Sequence, residues 1–409
     1  MTLTSACSSD HDARPRAGSV AYRRTVVAMV AAAVATFAQL WAVQPILPAI
    51  ASGFGASASQ AALAVSVATG GLAGFTLVWS GVADRLGRAR VITLSLVVAT
   101  VLGCVLPFVD QLWLLLVLRG VQGAALGGVP AAAVAYLSEE IHPVDSARAT
   151  GLYIAGNPLG GMGGRLLAGV AADLGGWQWG IGANTLLAVV ALVVFVWVLP
   201  RSGGARGGGG AAGGGAGWAR RVRAALATRG LVALYAQALL LMGAFMTVYN
   251  LLGFRLMAEP FGLSQAAASL LFVSYTAGMV GSAVAGGAVA RWGGYVVLTV
   301  ATVVMAVGLG GMFATALPAV VVALVVLTFA FFCAHATASA WVGSRAVAGR
   351  AQAMALYTLS YYLGSSLFGW GGGVVYDAVG WGGAVVFAWV LCAVAVLVGL
   401  RLRGLSRVG

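Results

Sequence analysis

The chain of 409 residues has no lysine and only ten acidic residues, and 8% of it is charged. Ordinary soluble domains are about 25% charged, and a soluble helix needs a polar face, so a soluble α/β enzyme is excluded. Histidine is scarce: His11, His142 and His335 stand far apart. The four cysteines (Cys7, Cys104, Cys333, Cys392) show no paired spacing. A zinc site, a disulfide framework and a membrane enzyme built on clustered His, Cys or carboxylates therefore lack their parts. No metal and no cofactor is expected. All 23 basic residues are arginine, dispersed over loops and tails rather than gathered on one soluble face, so no nucleic-acid partner is expected.

What the chain does have is apolar length. It is 61% hydrophobic, with a mean hydropathy of +0.98. Uncharged runs of 59, 27 and 31 residues follow Arg24, Asp173 and Glu259, while about 20 apolar residues cross a bilayer. Twelve spans are expected near 26–50, 60–82, 91–108, 112–135, 149–171, 178–199, 231–253, 265–289, 296–315, 319–341, 352–375 and 382–400. The turns "SGFGASAS" and "ATALPA" divide the longest runs. Span one reads as a retained helix, with a cleaved signal peptide as the alternative.

The arginines sort by loop. With the amino terminus inside, twenty fall in cytoplasmic segments, Arg119 and Arg165 fall inside spans, and only Arg255 falls outside. Such asymmetry is what the positive-inside rule expects. It predicts a multi-pass protein of the plasma (inner) membrane with both termini cytoplasmic. Residues 201–217 read as a flexible glycine-rich tether. After it, "WARRVRAAL" places Trp218, Val222 and Leu226 opposite Arg220, Arg221 and Arg223, a basic amphipathic helix suited to the anionic inner leaflet. A solvated linker is the alternative.

The two halves resemble each other. At a shift of 204, Leu152, Tyr153, Gly160, Gly169, Asp173 and Trp177 meet Leu356, Tyr357, Gly364, Gly373, Asp377 and Trp381. At a shift of 206, Arg85 meets Arg291 and Gly87 meets Gly293, while Asp84 meets Ala290. The expected fold class is an all-α polytopic membrane protein with twelve transmembrane helices in two six-helix pseudo-symmetric halves, an architecture of secondary transporters. The expected divisions are a tail at 1–24, halves at 25–200 and 230–400, a linker at 201–229 and a tail at 401–409.

Three stretches are recognisable. "DRLGR" resembles the loop signature between spans two and three of the major facilitator superfamily, although Ser80 stands at its leading glycine and Ala89 at a usual basic position. "LLLVLRGVQGAA" resembles the fourth-span signature, carried by Leu115, Arg119, Gln122 and Gly123. "GLYIAGNPLGG" resembles the antiporter signature of span five, carried by Gly156, Asn157, Pro158, Gly160 and Gly161, with Asn157 where proline is usual. "YLSEEIHP", "FFCAHATASAW" and "SYYLGSS" are similar to YnfM-type inner-membrane transporters, relatives of the arabinose-efflux permeases.

The resemblance implies a gating loop of Asp84, Arg85, Gly87 and Arg88 that latches the outward-facing state. It also implies that spans one, four, seven and ten line the cavity. Candidate substrate-binding residues are then Gln39, Gln44, Arg119, Tyr249, Asn250 and Tyr361, with His335 and Arg119 as candidates for coupling. Arginine at mid-membrane costs about 2.5–3.5 kcal/mol on insertion scales, which favours a functional reading of Arg119. A pairing of Arg165 with a loop acid such as Asp173 is one reading of that residue. Small-residue stripes (Gly156–Gly160–Gly164–Ala168 on span five, Gly278–Ser282–Gly286–Ala290 on span eight, Gly70–Gly74 on span two and Ser365–Gly369–Gly373 on span eleven) are expected to form the seam between halves, five against eight and two against eleven. The expected function is proton-coupled export of a small organic molecule by a monomer in the lipid bilayer. The alternative is an importer or exchanger of organic anions using Arg119 and Arg165. A sensor would carry a soluble signalling domain, and none is legible.

Overall fold

The computed structural model describes residues 14–200, 215–346 and 349–403, together with the backbone but not the side chains of 215–219 and Arg221. The tether at 201–214, the side chain of Trp218, Cys7 and His11 lie outside the described residues. Among the described residues the secondary structure is helical throughout. Ten helices are long and apolar enough to cross a membrane. Two of them, Pro143–Val198 and Arg350–Leu400, run to 56 and 51 residues. A straight helix of 56 residues would measure about 84 Å against a hydrocarbon core of about 30 Å. Each folds back instead: Gly175 and Gly176 leave helical geometry in the first, Gly380 in the second. Gly176 and Gly380 stand at φ +79° and +75°, a left-handed region that glycine enters without steric cost. Counting both arms gives twelve spans.

Span one departs from the expected unbroken helix. It runs as Val20–Trp41, breaks, and resumes as Leu47–Phe54. Pro45 explains the stop: its ring would clash with the carbonyl of Trp41, and it has no N–H to donate. The break leaves the last carbonyls of Val20–Trp41 without helical partners.

The remaining spans are Ala58–Leu86 (two), Arg88–Val105 (three), Leu112–Leu126 with Gly128–Glu140 (four), Arg229–Met257 (seven), Gln265–Leu270 with Tyr275–Trp292 (eight), Gly294–Gly311 (nine) and Leu317–Arg345 (ten). Five with six and eleven with twelve are the arms of the two double-length helices. Gly87 at φ +90° and its counterpart Gly293 at +81° form the matching turns that end spans two and eight. Spans two and four cross backbone to backbone: a Cβ on Gly123 would lie 2.0 Å from Ala68 O. The helix Gly215–Ala227 precedes span seven, with Arg220 and Arg223 exposed and Ala225 buried.

The two halves meet mainly through spans two and eleven and through spans five and eight. On the arginine-poor face, where spans one and two and spans seven and eight are joined, the seam is closed by two equivalent caps. The Asp377 carboxylate accepts from Ser57 Oγ at 2.7 Å and from the N–H groups of Ala58 and Ser59 at 3.1 Å each. The Asp173 carboxylate accepts from the N–H of Gln265 at 3.0 Å. Each acid comes from one half and caps a helix start in the other. Deeper in, Ser366 Oγ donates to Ser66 O at 2.8 Å.

Toward the arginine-rich face the seam parts. Beyond Ala73, span two exposes Gly74, Phe75, Leu77, Val78, Ser80 and Gly81. Among the described residues, each cross-half hydrogen bond lies in the arginine-poor half of the seam or at its middle.

The expected glycine seam is corrected by this packing for spans five and eight. Gly156, Gly160 and Gly164 face Ala33, Val34 and Ala38 of span one, and Gly278 and Gly281 face Phe332 and Phe329 of span ten. These stripes bind helices within a half. The close approaches that cross include Gly169 on Ser269, Gly253 on Pro48 and, on the stripes expected of spans two and eleven, Gly70 on Ser366 and Gly373 on Ser59. Helical spacing reveals a close-packing face but not which neighbour fills it.

Candidate substrate site

Two buried arginines organise two separate clusters. Arg119, 1% exposed, lies inside the first half. Its Nε donates to Ala64 O (3.2 Å), Nη1 to Gln39 O (3.0 Å) and Gln122 Oε1 (2.6 Å), and Nη2 to Leu40 O (2.7 Å). Gln39 O and Leu40 O belong to the last turn before the break in span one, where a helix is negatively polarised. Four of the five guanidinium donors thus serve the protein, and the charge sits on a helix C-terminus. Gln122 continues the cluster, donating to Gln39 Oε1 at 3.2 Å and Ala99 O at 2.9 Å. Gln39 and Arg119, expected at a substrate, are tied here into the architecture of spans one to four.

Arg165 has a different setting. It is also 1% exposed, but it stands on the seam. Nε donates to Gln44 Oε1 (2.7 Å), Nη1 to Gly161 O (2.9 Å) and Nη2 to Tyr275 OH (3.2 Å) of the other half. The rings of Tyr275, Trp41 and Phe272 surround its guanidinium carbon at 4.6, 4.7 and 5.2 Å. Pairing with Asp173 does not occur: that carboxylate caps Gln265. Gln44 Nε2 in turn donates to Asn250 Oδ1 at 2.7 Å. Gln44 and Asn250 are equivalent positions at the 206-residue shift, so their direct bond puts them beside the pseudo-two-fold axis. Asn250 Nδ2, buried, has no acceptor among the described residues, and Gly369 leaves it room at 2.8 Å from where a Cβ would sit.

Aromatic rings of the second half line this site. Tyr249 OH bonds Ser274 Oγ (2.7 Å) and Thr328 Oγ1 (2.5 Å), fixed there by a 3₁₀ turn, Leu271–Ser274, that interrupts span eight. Phe245 stacks on Phe331 at 4.0 Å. The Tyr361 ring lies 4.6 Å from that of His335, tilted by 45°, and His335 Nδ1 lies 3.0 Å from Tyr357 OH. A cavity of about 10 Å³, room for one water, is lined by Gln237, Phe331, His335, Tyr357 and Tyr361 among others.

The fold and the sequence have known relatives. A family model described as the Major Facilitator Superfamily matches residues 29–346. The chain belongs to the major facilitator superfamily. The inner membrane transport protein YnfM of Escherichia coli (strain K12) is 35% identical over 94% of this chain and 92% of its own. In fold, the nucleoside transporter NupG (D323A mutant) matches with a TM-score of 0.73 at 14% identity, over 93% of this chain and 99% of that one. A bacterial homolog of the human lysosomal transporter Spinster, in an inward-facing and unoccupied conformation, matches with a TM-score of 0.73 at 17% identity, over 95% and 96%. As a major facilitator protein, this chain is a multi-pass membrane transporter and not an enzyme.

The motif residues of the superfamily take definite places. Asp84 and Arg85 are exposed on the parted side, and Asp84 has no hydrogen bond or ion pair among the described residues. Arg88 pairs with Glu139 of its own half at 2.7 Å. Gly161 serves the seam through its carbonyl to Arg165, and Pro158 lies within the helix. Asn157 carries a buried Oδ1 with no partner among the described residues. Sequence reasoning missed Tyr275 and the capping role of the two aspartates, and it named Gln122 only as part of the fourth-span signature. The signal for the aspartates was present in their match at one repeat offset.

Proposed function

We propose that this protein is a secondary transporter that exports a small organic molecule in exchange for protons, by alternating access. The arginine-rich face lies in the cytoplasm, with both termini, as the positive-inside asymmetry supports. The halves at 25–200 and 230–400 rock about the seam, and the linker at 201–229 joins them on the cytoplasmic side. One observation carries the reading. The seam is closed on one face and parted on the other, and a buried polar chain crosses it at the two-fold axis, from Arg165 through Gln44 to Asn250. A substrate at this level meets both halves at once, as alternating access requires.

His335 is the proton site in this reading. Among the described residues no carboxylate lies at membrane depth, and arginine does not release its proton. Imidazole does so near neutrality. His335 is partly exposed and borders the water-sized cavity. Arg119 is a positioning residue that holds the broken span one, and the exposed Asp84 is free to engage the second half once the cytoplasmic side closes. In proteoliposomes with an imposed pH gradient and a panel of small organic molecules, His335→Gln loses gradient-driven accumulation and keeps exchange at zero gradient. If His335→Gln still concentrates substrate with normal pH dependence, coupling runs elsewhere.

A further inference from the structure

We infer that the molecule carried is an organic anion, a carboxylate attached to a planar ring, bound by Arg165 and Asn250 through its charge and by the second half's aromatic cluster through its ring. This rests on the transport reading above and names the substrate class of the same site.

The argument begins with what each buried arginine lacks. Arg119 directs four donors to protein oxygens, two of them on a helix C-terminus that supplies negative potential. Arg165 directs three of its five donors to neutral oxygens, which leaves two N–H groups facing rings. No carboxylate balances it: among the described residues Asp173 and Asp377 are engaged in the outer caps, and the other acids lie in loops or at helix ends. Ring faces attract a cation only modestly, and a buried charge without a counter-charge is costly. The second unmet group is Asn250 Nδ2, one bond away through Gln44 and also a donor. Two spare guanidinium N–H groups on one side of the Gln44 amide and a spare amide N–H on the other form a set of donors without an acceptor. A carboxylate, with two oxygens and about four lone-pair sites, is the small group that satisfies such a set, and arginine binds it in bidentate fashion.

The rest of the site selects the other end of the molecule. Phe245, Tyr249, Phe331 and Tyr361 come from spans seven, ten and eleven, with Phe245 and Phe331 stacked at 4.0 Å. Offset stacking against such walls favours a flat, polarisable ring over an aliphatic chain. Tyr361 also contacts His335, so the ring-binding wall adjoins the proton site. Exchange of one proton inward for one anion outward moves two charges in the direction that an interior-negative potential drives, about 2.3 kcal/mol per charge for each 100 mV.

Purified protein in nanodiscs, titrated with benzoate, 4-hydroxybenzoate and cinnamate and in parallel with their neutral amides, tests this. Fluorescence of Trp41, whose ring lies 4.7 Å from the Arg165 guanidinium, reports binding, with Trp41→Phe as the control. At least one acid is expected to bind, and its amide about 10- to 100-fold more weakly, the loss that follows from removing a charge-assisted pair. Arg165→Gln removes the preference for acid over amide, while Arg165→Lys keeps it with reduced affinity. If Arg165→Gln does not fold, the wild-type acid-to-amide ratio and the lysine variant decide alone. Equal binding of acid and amide, no binding of any acid, or an unchanged preference in Arg165→Gln would overturn the inference. Counterflow of an amide in proteoliposomes would then leave the transport reading standing without the anion.

Discussion

The most direct perturbation of the closed outer face is at Asp377. Its carboxylate takes the N–H groups of Ala58 and Ser59, while Ser57, within its own capping box, takes that of Gln60. Asp377→Ala therefore removes a cap and a negative charge from the start of span two. A helix cap is worth about 1 kcal/mol and the charge about 0.3–1 kcal/mol in a first turn. The carboxylate is largely exposed, so the charge contribution belongs at the lower end. Together they amount to about 1–2 kcal/mol, or a shift of about 5- to 30-fold in the ratio of outer-closed to outer-open protein. Asp377→Asn keeps a capping oxygen and shifts the ratio only about 2-fold. The reporter is Ser269→Cys in a chain lacking its native cysteines, since Ser269 is buried against Gly169 on the closed side. Its rate of reaction with an impermeant thiol reagent added outside should rise in that order, asparagine less than alanine. The pH dependence has a definite sign. Burial alone would raise the Asp377 carboxyl, but hydrogen bonds from Ser59, Ser57 and the Ala58 backbone outweigh it and hold the group below its ordinary value. The stabilisation of the closed face is therefore complete above the ordinary carboxylate range and is lost as pH falls through the lowered value. Acid should speed labelling in the native background and leave Asp377→Ala unchanged. A labelling rate indifferent to both substitutions would refute the capping argument.

Asp84→Asn should lower transport at equal expression, because it removes a charge available to the cytoplasmic latch while keeping the shape; unchanged turnover would reduce the loop to a topology signal. Gly123→Ala should destabilise the first half by about 1–3 kcal/mol, since the new Cβ would press on the backbone of Ala68 and no flexible side chain can yield. Thermal unfolding in detergent measures it, and an unchanged midpoint would mean that spans two and four separate more easily than their packing implies.

Much of the fold is legible in residues whose physics is local. Charge scarcity marks the spans, and Gly87, Gly176, Gly293 and Gly380 mark turns that need positive φ. The matched Asp173 and Asp377 mark the repeat. Pro45 was equally legible as a helix stop, but hydropathy alone carried the expected span through it. The site is legible only as a set of polar residues at depth. Two arginines at similar depth look alike in sequence. What separates them is which carbonyls lie within reach, and the break in span one decides that by offering Gln39 O and Leu40 O to Arg119 alone. Tyr275 was invisible for the same reason, since its role depends on a 3₁₀ turn and on the opposite half.

The bond between Gln44 and Asn250 bears on how the two halves diverged. Arg165 lies 204 residues before Gly369, the position whose lack of a side chain lets Asn250 approach. Two identical halves would put a guanidinium on each side of the axis, and like charges that close in a low-dielectric interior repel strongly. One copy carries the cation and the other carries nothing. Fusion into a single chain permits that choice, because each copy can then change without changing its mate. The consequence is a site with a head and a tail. The first half holds charge, the second holds rings, and a molecule lodged between them is oriented before either gate moves.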